Sequence, residues 1–545
     1  MLETFHYAPL DASSNAIRLL TIHPADPSNP SVINCSLHQA SLDDPPEYHA
    51  LSYAWKDDSV DDPSNDSQCI IVDGRSLIVG CNLGAALQAR RVRNDGHIPI
   101  WIDAICINQE DLSEKSHQIL RMRQIYAQSS LVTVWLGPER DDSNKAFQII
   151  RTISQLRENA KEWLTDSLTT RKHSIILDYG TFSLAPSYLR QSPWIDNSIL
   201  QTLYKTGLAV SSDPRDKIYA ILNLANDGAK LVPRPDYKLS AAEVFTQLVS
   251  RIIQTTNRLD VLSLASPTVY PRILGDELPT WVPDFSQRAT STINSSLSSL
   301  RPVSADGDSL AITSFNHMFS TLSVRGFVID TVDGLTQVLC NKNSSHGDTL
   351  QQSKSKLTAD SPSEATKAID EITQTLIAGS IPPMTAPNKD ILREIADRFV
   401  QDYRQFASDP KSQGCTTSAH YSDWFYYNQD FTVFGKSIKQ WASEYNSPTI
   451  SKISSDNFFD YRSSLHWYSR RLFTTGAGSV GLGGNMCRPG DIICILLGCS
   501  TPLVLRPTRD AIQLIGEAYL HGIMDGQAMK GLESGKYYMR NFNII

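Results

Sequence analysis

Residues 98–137 read IPIWIDAICINQEDLSEKSHQILRMRQIYAQSSLVTVWLG. The stretch falls into four parts. Ile100-Trp101-Ile102 is a short apolar run that ends at Asp103. Asn108, Gln109 and Glu110 form a polar loop. Asp111 and Glu114 have the spacing of a capping box, in which Asp111 accepts from a first-turn N–H and Glu114 reaches back. Ile119, Met122, Ile125 and Tyr126 recur at helical spacing and predict a helix over 113–129. Arg121 and Arg123 fall off that apolar face and are expected to stay wet. Leu131–Trp135, closed by Gly137-Pro138, predicts a second strand. Strand, polar loop, helix, strand is the repeating unit of an α/β layer.

Working outward, Tyr48–Trp55 reads YHALSYAW and predicts a strand over 48–56. AIRLLTI (16–22) predicts another, and CIIVDGRSLIVG (69–80) a hairpin about Asp73-Gly74. NLGAALQARRVR (82–93) reads as a helix. The expected fold class is α/β, with a partly parallel sheet and flanking helices. Ligands of such sheets sit off the carboxyl ends of the strands. Ser52, Tyr53 and Trp55 occupy one such end. Asp103, Asn108 and Gln109 occupy another, and the two ends are expected to share one cleft. Asp103 and Glu110 are its candidate catalytic carboxylates. Trp101, Ile119, Met122 and Trp135 are expected in the core. Packing accounts equally for Tyr48, Leu51, Tyr53 and Trp55, and loop amides such as Asn108 and Gln109 often tie down their own backbone. Both readings stay open at this point.

The chain has 545 residues, too many for one ordinary core. The expected organisation is an α/β core over 1–140, a mainly helical continuation over 141–285, a Ser/Thr-rich linker or surface insertion over 286–370, and a C-terminal α+β unit over 371–545. SDPRDKIYAILNLA (212–225) and SAAEVFTQLVSRIIQ (240–254) carry helical periodicity. LPTWVPDFS (278–286) reads as extended, and β-type runs return after 455.

Acidic residues outnumber basic ones by 58 to 50, and no basic stripe stands out, so nucleic acid is not an expected partner. No apolar run approaches the ~18 residues of a membrane span. The first twenty residues lack the form of a secretory signal. Nine cysteines make no Cys-x-x-Cys pair and no zinc spacing, so no metal is expected and a reducing cytoplasmic setting fits. Cys106 has no histidine with it in a nucleophile motif, and Cys487, Cys494 and Cys499 read as core residues. GAGSVG (476–481) matches a dinucleotide pattern, but a turn and strand follow where that motif needs a helix, so it reads as a glycine-rich turn. No cofactor is evident.

YHALSYAW, followed by the 98–137 block with its Trp-Ile-Asp, Cys-Ile-Asn-Gln, Ile-Tyr and Val-Trp-Leu-Gly, resembles the HET (heterokaryon incompatibility) domain of filamentous fungi. SDPRDKIYAILNLA, LPTWVPDFS, RRLFTTGAGSVGLGG (470–484) and IGEAYLHGIMDG (515–526) resemble segments of long HET proteins. The resemblance implies a module of fungal non-self recognition whose activation ends in growth arrest or cell death, acting through protein partners and compatible with oligomers. The family also resembles TIR domains, many of which cleave NAD with a glutamate supplied after a later tryptophan. HET proteins usually carry a block Trp-x-x-Arg-x-Trp-x-x-Gln-Glu in that place. Here the nearest fragment is LRQSPWIDNSILQ (189–201), with Trp194 but no Gln-Glu. An NAD-cleaving alternative would use Ser52, Tyr53 and Trp55 as pocket and Glu110 as substitute carboxylate. A further alternative is an enzyme or accessory factor of fungal secondary-metabolite synthesis on the same scaffold.

Overall fold

The computed structural model divides into two compact units, one of residues 1–197 and 234–238, the other of 198–233 and 239–545. In the first it describes residues 2–11, 14–55, 67–92, 98–135, 137–138 and 234–238. In the second it describes 198–206, 211, 213–233, 239–265, 274, 278–286, 303–337, 350–355, 361–378, 389–408, 419–446, 470–509 and 511–545. The expectations for 139–197, Trp194 included, lie outside these residues.

The first unit is built on a seven-stranded sheet. Its elements are β1 (Ala16–Ile22), β2 (Asn34–Ser41), β3 (His49–Tyr53), β4 (Ser67–Val72), β5 (Arg75–Gly80), α1 (Cys81–Val92), β6 (Ile100–Trp101), α2 (Asp103–Cys106), α3 (Leu112–Gln128) and β7 (Leu131–Trp135). The spatial order is β5-β4-β2-β1-β6-β3-β7. β1–β2 and β4–β5 are antiparallel, while β3 runs parallel to both β6 and β7. The expected hairpin turns at Asp73 and Gly74, whose φ values of 50° and 79° suit a type I′ turn. β6, β3 and β7, the strands of the segments 98–103, 48–56 and 131–136, are neighbours in the sheet, with α3 packed on it.

Two adjacent residues show how the helices cover the sheet. Tyr48 donates its hydroxyl to the Ile125 carbonyl of α3 at 2.5 Å, while His49 Nδ1 lies 3.0 Å from Arg90 Nη2 of α1. Successive side chains point to opposite faces, so α1 and α3 sandwich the sheet. Ile17, Leu20, Ile70, Trp101, Ile105 and Ile125 fill the core. Trp101 and Ile119 are buried as expected, whereas Met122 and Trp135 are only half-buried. Arg121 is not wet: it donates to the Ser14 and Ala16 carbonyls.

The second unit opens with α4 (Ile199–Thr206), α5 (Asp216–Tyr219), α6 (Gly228–Leu231) and α7 (Ala241–Thr256). α7 has a complete capping box from Ser240 and Glu243, and stops at Asn257 in the left-handed region (φ 52°). The helix expected over 212–225 shrinks to one turn. Ile218, Tyr219, Ile221 and Leu222 are all buried, so burial follows a winding path and not one helical stripe. LPTWVPDFS is a set of turns and not an extended segment. Val282 N–H donates to the Pro279 carbonyl and Ser286 to the Asp284 carboxylate, which drives Trp281 fully inside.

The strands that follow are β8 (Thr313–Phe315) and β9 (Leu322–Leu335). Then come α8 (Ala365–Leu376), α9 (Lys389–Ser408), α10 (Ala419–Asn428), the short pair β10 (Thr432–Val433) and β11 (Lys436–Ser437), and α11 (Ile438–Glu444). The last are β12 (Arg470–Thr475), β13 (Val480–Gly484), β14 (Ile492–Leu496), β15 (Leu503–Pro507), β16 (Ile512–Leu520), α12 (Gln527–Glu533) and β17 (Arg540–Ile544). Pairing runs β12-β13-β16-β15-β14-β9 and returns from β9 to β12, a closed six-stranded antiparallel ring. Closure leaves the ring no edge to aggregate. β9 is 14 residues long and serves β17, β14 and β12 in turn along its length. The linker reading of 286–370 is therefore corrected for this stretch, since β9 is the strand that closes the barrel. GAGSVG is the turn between β12 and β13, as expected, with Gly478 at φ 92°. Cys487, Cys494 and Cys499 are buried in the unit's core.

α8, α9, α10 and α11 pack around Ile369, Phe399, Phe425 and Trp441, and Leu472 and Val480 of the barrel join that cluster. Glu371 on α8 has its carboxyl pushed up to about 6, first by burial and then by the charge of Asp370. A folded-state value above the unfolded one (~4.3) gives stability that is complete below the unfolded value and is lost as pH rises through the folded one. The urea midpoint of the second unit should therefore fall between pH 4.5 and 7. Glu371→Gln should flatten that fall, and an unchanged slope would contradict the assignment.

Candidate functional site

The carboxyl ends of β3, β6 and β7 lie side by side because the three strands are parallel. After β3 the chain continues through Ala54 to Trp55, after β6 it turns at Asp103, and β7 ends at Trp135. Trp55 Nε1 donates to Asp103 Oδ2 at 3.0 Å, while Asp103 Oδ1 accepts from the Ala104 N–H at 2.8 Å. Gln109 reaches back and donates from Nε2 to the Asp103 carbonyl at 2.8 Å. The cleft expected between the first two strand ends is thus a direct contact between Trp55 and Asp103, and Trp55 remains 42% exposed beside it.

Asn82, in the first turn of α1, was not singled out in the sequence. It donates from Nδ2 to the Ala54 carbonyl at 2.7 Å and accepts from Trp135 Nε1 at 2.9 Å. It joins the ends of β3 and β7 as Trp55 joins those of β3 and β6. The one local signal was an asparagine opening a helix directly after a strand ending in Gly80. Tyr126 adds a fourth tie, donating to the Leu51 carbonyl at 3.1 Å.

The other expected site residues separate by role. Tyr53 is half-buried; burial, then the Asp103 charge, raise its pKa well above the ordinary phenol value, so it stays protonated. It can offer a ring and a donor but no phenolate. Ser52 is half-buried in mid-strand opposite Val134. Asn108 serves the loop itself, its Oδ1 accepting from the Glu110 N–H at 3.2 Å. Glu110 is exposed at the turn. The Cys106 thiol is fully buried and pushed up to about 12 by that burial, so it is a packing group that accepts from the Ile102 N–H at 3.3 Å.

The capping box is half right. Asp111 accepts from the Ser113 and Glu114 N–H groups. Glu114 does not reach back, because the Asp111 N–H already donates to the Asn108 carbonyl. Instead its carboxylate takes both terminal nitrogens of Arg18, at 2.6 and 2.8 Å, and the Asn108 N–H at 2.7 Å. Among the described residues no group of three or more His, Cys, Asp or Glu could hold a metal ion. No described helix is long and apolar enough to cross a membrane.

A partly parallel α/β sheet with polar loops gathered at its strand ends, in one chain with a closed antiparallel barrel, defines a two-unit protein of α/β and barrel type. The family model of Heterokaryon incompatibility protein (HET) matches residues 48–202, which hold β3 through β7 and the Trp55–Asp103 contact. That of the Het-6 beta-barrel domain matches residues 393–540, where β12 to β16 lie. The ring is completed by β9, which precedes that match. The chain is 24% identical to "Heterokaryon incompatibility protein 6, OR allele" of Neurospora crassa, an alignment that covers 99% of this chain and 98% of the relative. No solved structure matches the chain. The chain is thus similar to heterokaryon-incompatibility proteins in two separate stretches, the α/β sheet and the barrel.

Proposed function

We propose that this chain acts in fungal non-self recognition as a signalling or effector module whose activation leads to growth arrest or cell death. The observation that carries this reading is collinearity. Both matched domains stand in one chain, and the likeness to the Neurospora crassa protein runs through nearly the whole of each. On this reading the protein works in the cytoplasm, engages protein partners and needs no dissociable cofactor. The test is inducible expression in a filamentous fungus lacking the gene, alone and in heterokaryons whose partners differ only at this locus. Growth arrest with dye uptake by mixed compartments is expected. Normal growth in every pairing would sink the proposal.

A second expectation concerns chemistry. Glu110 is exposed on a turn, Glu114 is locked to Arg18, and Asp103 is held by Trp55. Each of these carboxylates therefore has a structural or solvent contact that supports a non-catalytic reading. Purified chain incubated with NAD should release no nicotinamide. Release that disappears in Glu110→Gln would instead favour the nucleotide-cleaving alternative.

A further inference from the structure

We propose that Arg18, with Tyr7, is the positioning residue of the Trp55–Asp103 site, and that the output of the α/β unit depends on the geometry it sets. This rests on the functional reading above. Asp103 opens α2, a helix of one turn, and a helix so short leaves its last carbonyls without partners of its own. Residues from the other end of the unit's sequence supply them. Arg18 Nη1 donates to the Cys106 carbonyl at 3.0 Å, and the Tyr7 hydroxyl donates to the Ile105 carbonyl at 3.0 Å.

Arg18 does more from the same position on β1. Its two terminal nitrogens grip the Glu114 carboxylate, whose Oε1 also accepts from the Asn108 N–H. Nη2 also donates to the Ala8 carbonyl at 2.7 Å, and the guanidinium stands 5.0 Å from the centre of the Tyr7 ring. One planar side chain, 3% exposed, thus holds the Cys106 carbonyl directly and the Asn108 N–H through Glu114, in the middle of the segment between Asp103 and Asp111. A guanidinium offers several donors in a rigid fork, and a lysine ammonium in its place keeps the charge but cannot span these partners.

Ile105, Cys106 and Ile107 of this segment are buried in the core, while its polar backbone is held from outside by Arg18, Glu114 and Tyr7. Its local bonds, from Gln109 to the Asp103 carbonyl and from Glu110 to Asn108, close the loop on itself without placing it against the sheet. Arg18 and Tyr7 add the long-range hydrogen bonds that tie its carbonyls to β1 and the N-terminal stretch.

The test reads Trp55 directly. Full-length chain carrying 5-fluorotryptophan is studied by fluorine NMR, with the Trp55 line among nine tryptophans assigned by Trp55→Phe. Arg18→Lys should move or broaden the Trp55 line and leave those of Trp281, Trp424 and Trp441 in place. Tyr7→Phe, which removes one hydroxyl, should move it less and in the same direction. Val72→Ala, a core change on β4, controls for loss of stability alone and should leave the line where it is. In the fungal assay Arg18→Lys should reduce growth arrest at least tenfold in surviving compartments, as should Asp103→Ala. A Trp55 line unmoved in folded Arg18→Lys overturns the proposal, as does a moved line with full growth arrest. If the wild-type chain arrests no growth, the functional reading fails by itself, and the Trp55 line alone decides whether Arg18 positions the site.

Discussion

Glu114→Ala should cost the first unit about 3–5 kcal/mol, because it leaves the Arg18 guanidinium buried without its counter-charge. Arg18 and Glu114 have side chains only 3% and 8% exposed, so water cannot take over the lost partner without opening the sheet. The same change strips the Asn108 N–H of its acceptor. Replacing both members with apolar residues of similar size, Arg18→Met with Glu114→Leu, should recover much of that loss, since a buried pair often gains little over good packing. The double variant should still fail in the functional assay, because methionine cannot hold the Cys106 carbonyl. Urea unfolding followed by hydrogen exchange in β1 and α3 measures both. An unshifted midpoint in Glu114→Ala would show that the pair is solvated in solution.

That pair also marks where the sequence stops being readable. Most of the first unit's strands, the Asp73-Gly74 hairpin and α3 were legible because their signals are local: alternation, a turn dipeptide, apolar residues at helical spacing; β2, with its polar NCSLHQAS, was not read. The Trp55–Asp103 contact was legible one step further out, because parallel strands bring their carboxyl ends together. Arg18 was not. It sits inside AIRLLTI, where a strand is predicted whatever its third residue does, and its partners lie 10, 88 and 96 residues away. Glu114 misled for the complementary reason. Its spacing from Asp111 fits a capping box, but a charged partner pointing from β1 outbids a backbone N–H. Asn82 carries no signal beyond opening the NLGAALQARRVR helix, and its role emerges only with the end of β7 beside it.

In the second unit the barrel was legible in pieces and not as a ring. Runs such as IICILL and LVLRP read as strands, but closure depends on β9 meeting β12 well over a hundred residues later. β9 also lies between Ser/Thr-rich stretches, and composition averaged over such a window hides a 14-residue strand. The half-burial of Met122 has a simpler origin. Helical periodicity shows which side faces inward, but the depth reached along that side depends on the neighbouring elements.

Phe473→Ala should be among the costliest single changes in the second unit, at about 3–5 kcal/mol, and its partner across the ring shows how it is packed. Phe473 on β12 is fully buried and stands opposite Gly481 on β13. A Cβ at Gly481 would lie 2.3 Å from Phe473 Cζ and 2.6 Å from the Tyr519 carbonyl oxygen. Gly483 is similar, with its Cβ position 2.8 Å from Cys487 Sγ and 3.3 Å from the Phe473 ring. The glycines of β13 are therefore the floor on which the ring lies, and their lack of side chains is a packing requirement. Gly481→Ala should cost about 1–3 kcal/mol by overpacking. In the Phe473→Ala background the same change should cost less by roughly 0.5–3 kcal/mol, because the ring it strikes is gone and only the Tyr519 carbonyl remains. Calorimetry or urea titration of the four chains of this cycle supplies the number. Strict additivity would mean that the clash is relieved by a shift of β13 and that Phe473 does not depend on the glycines beneath it.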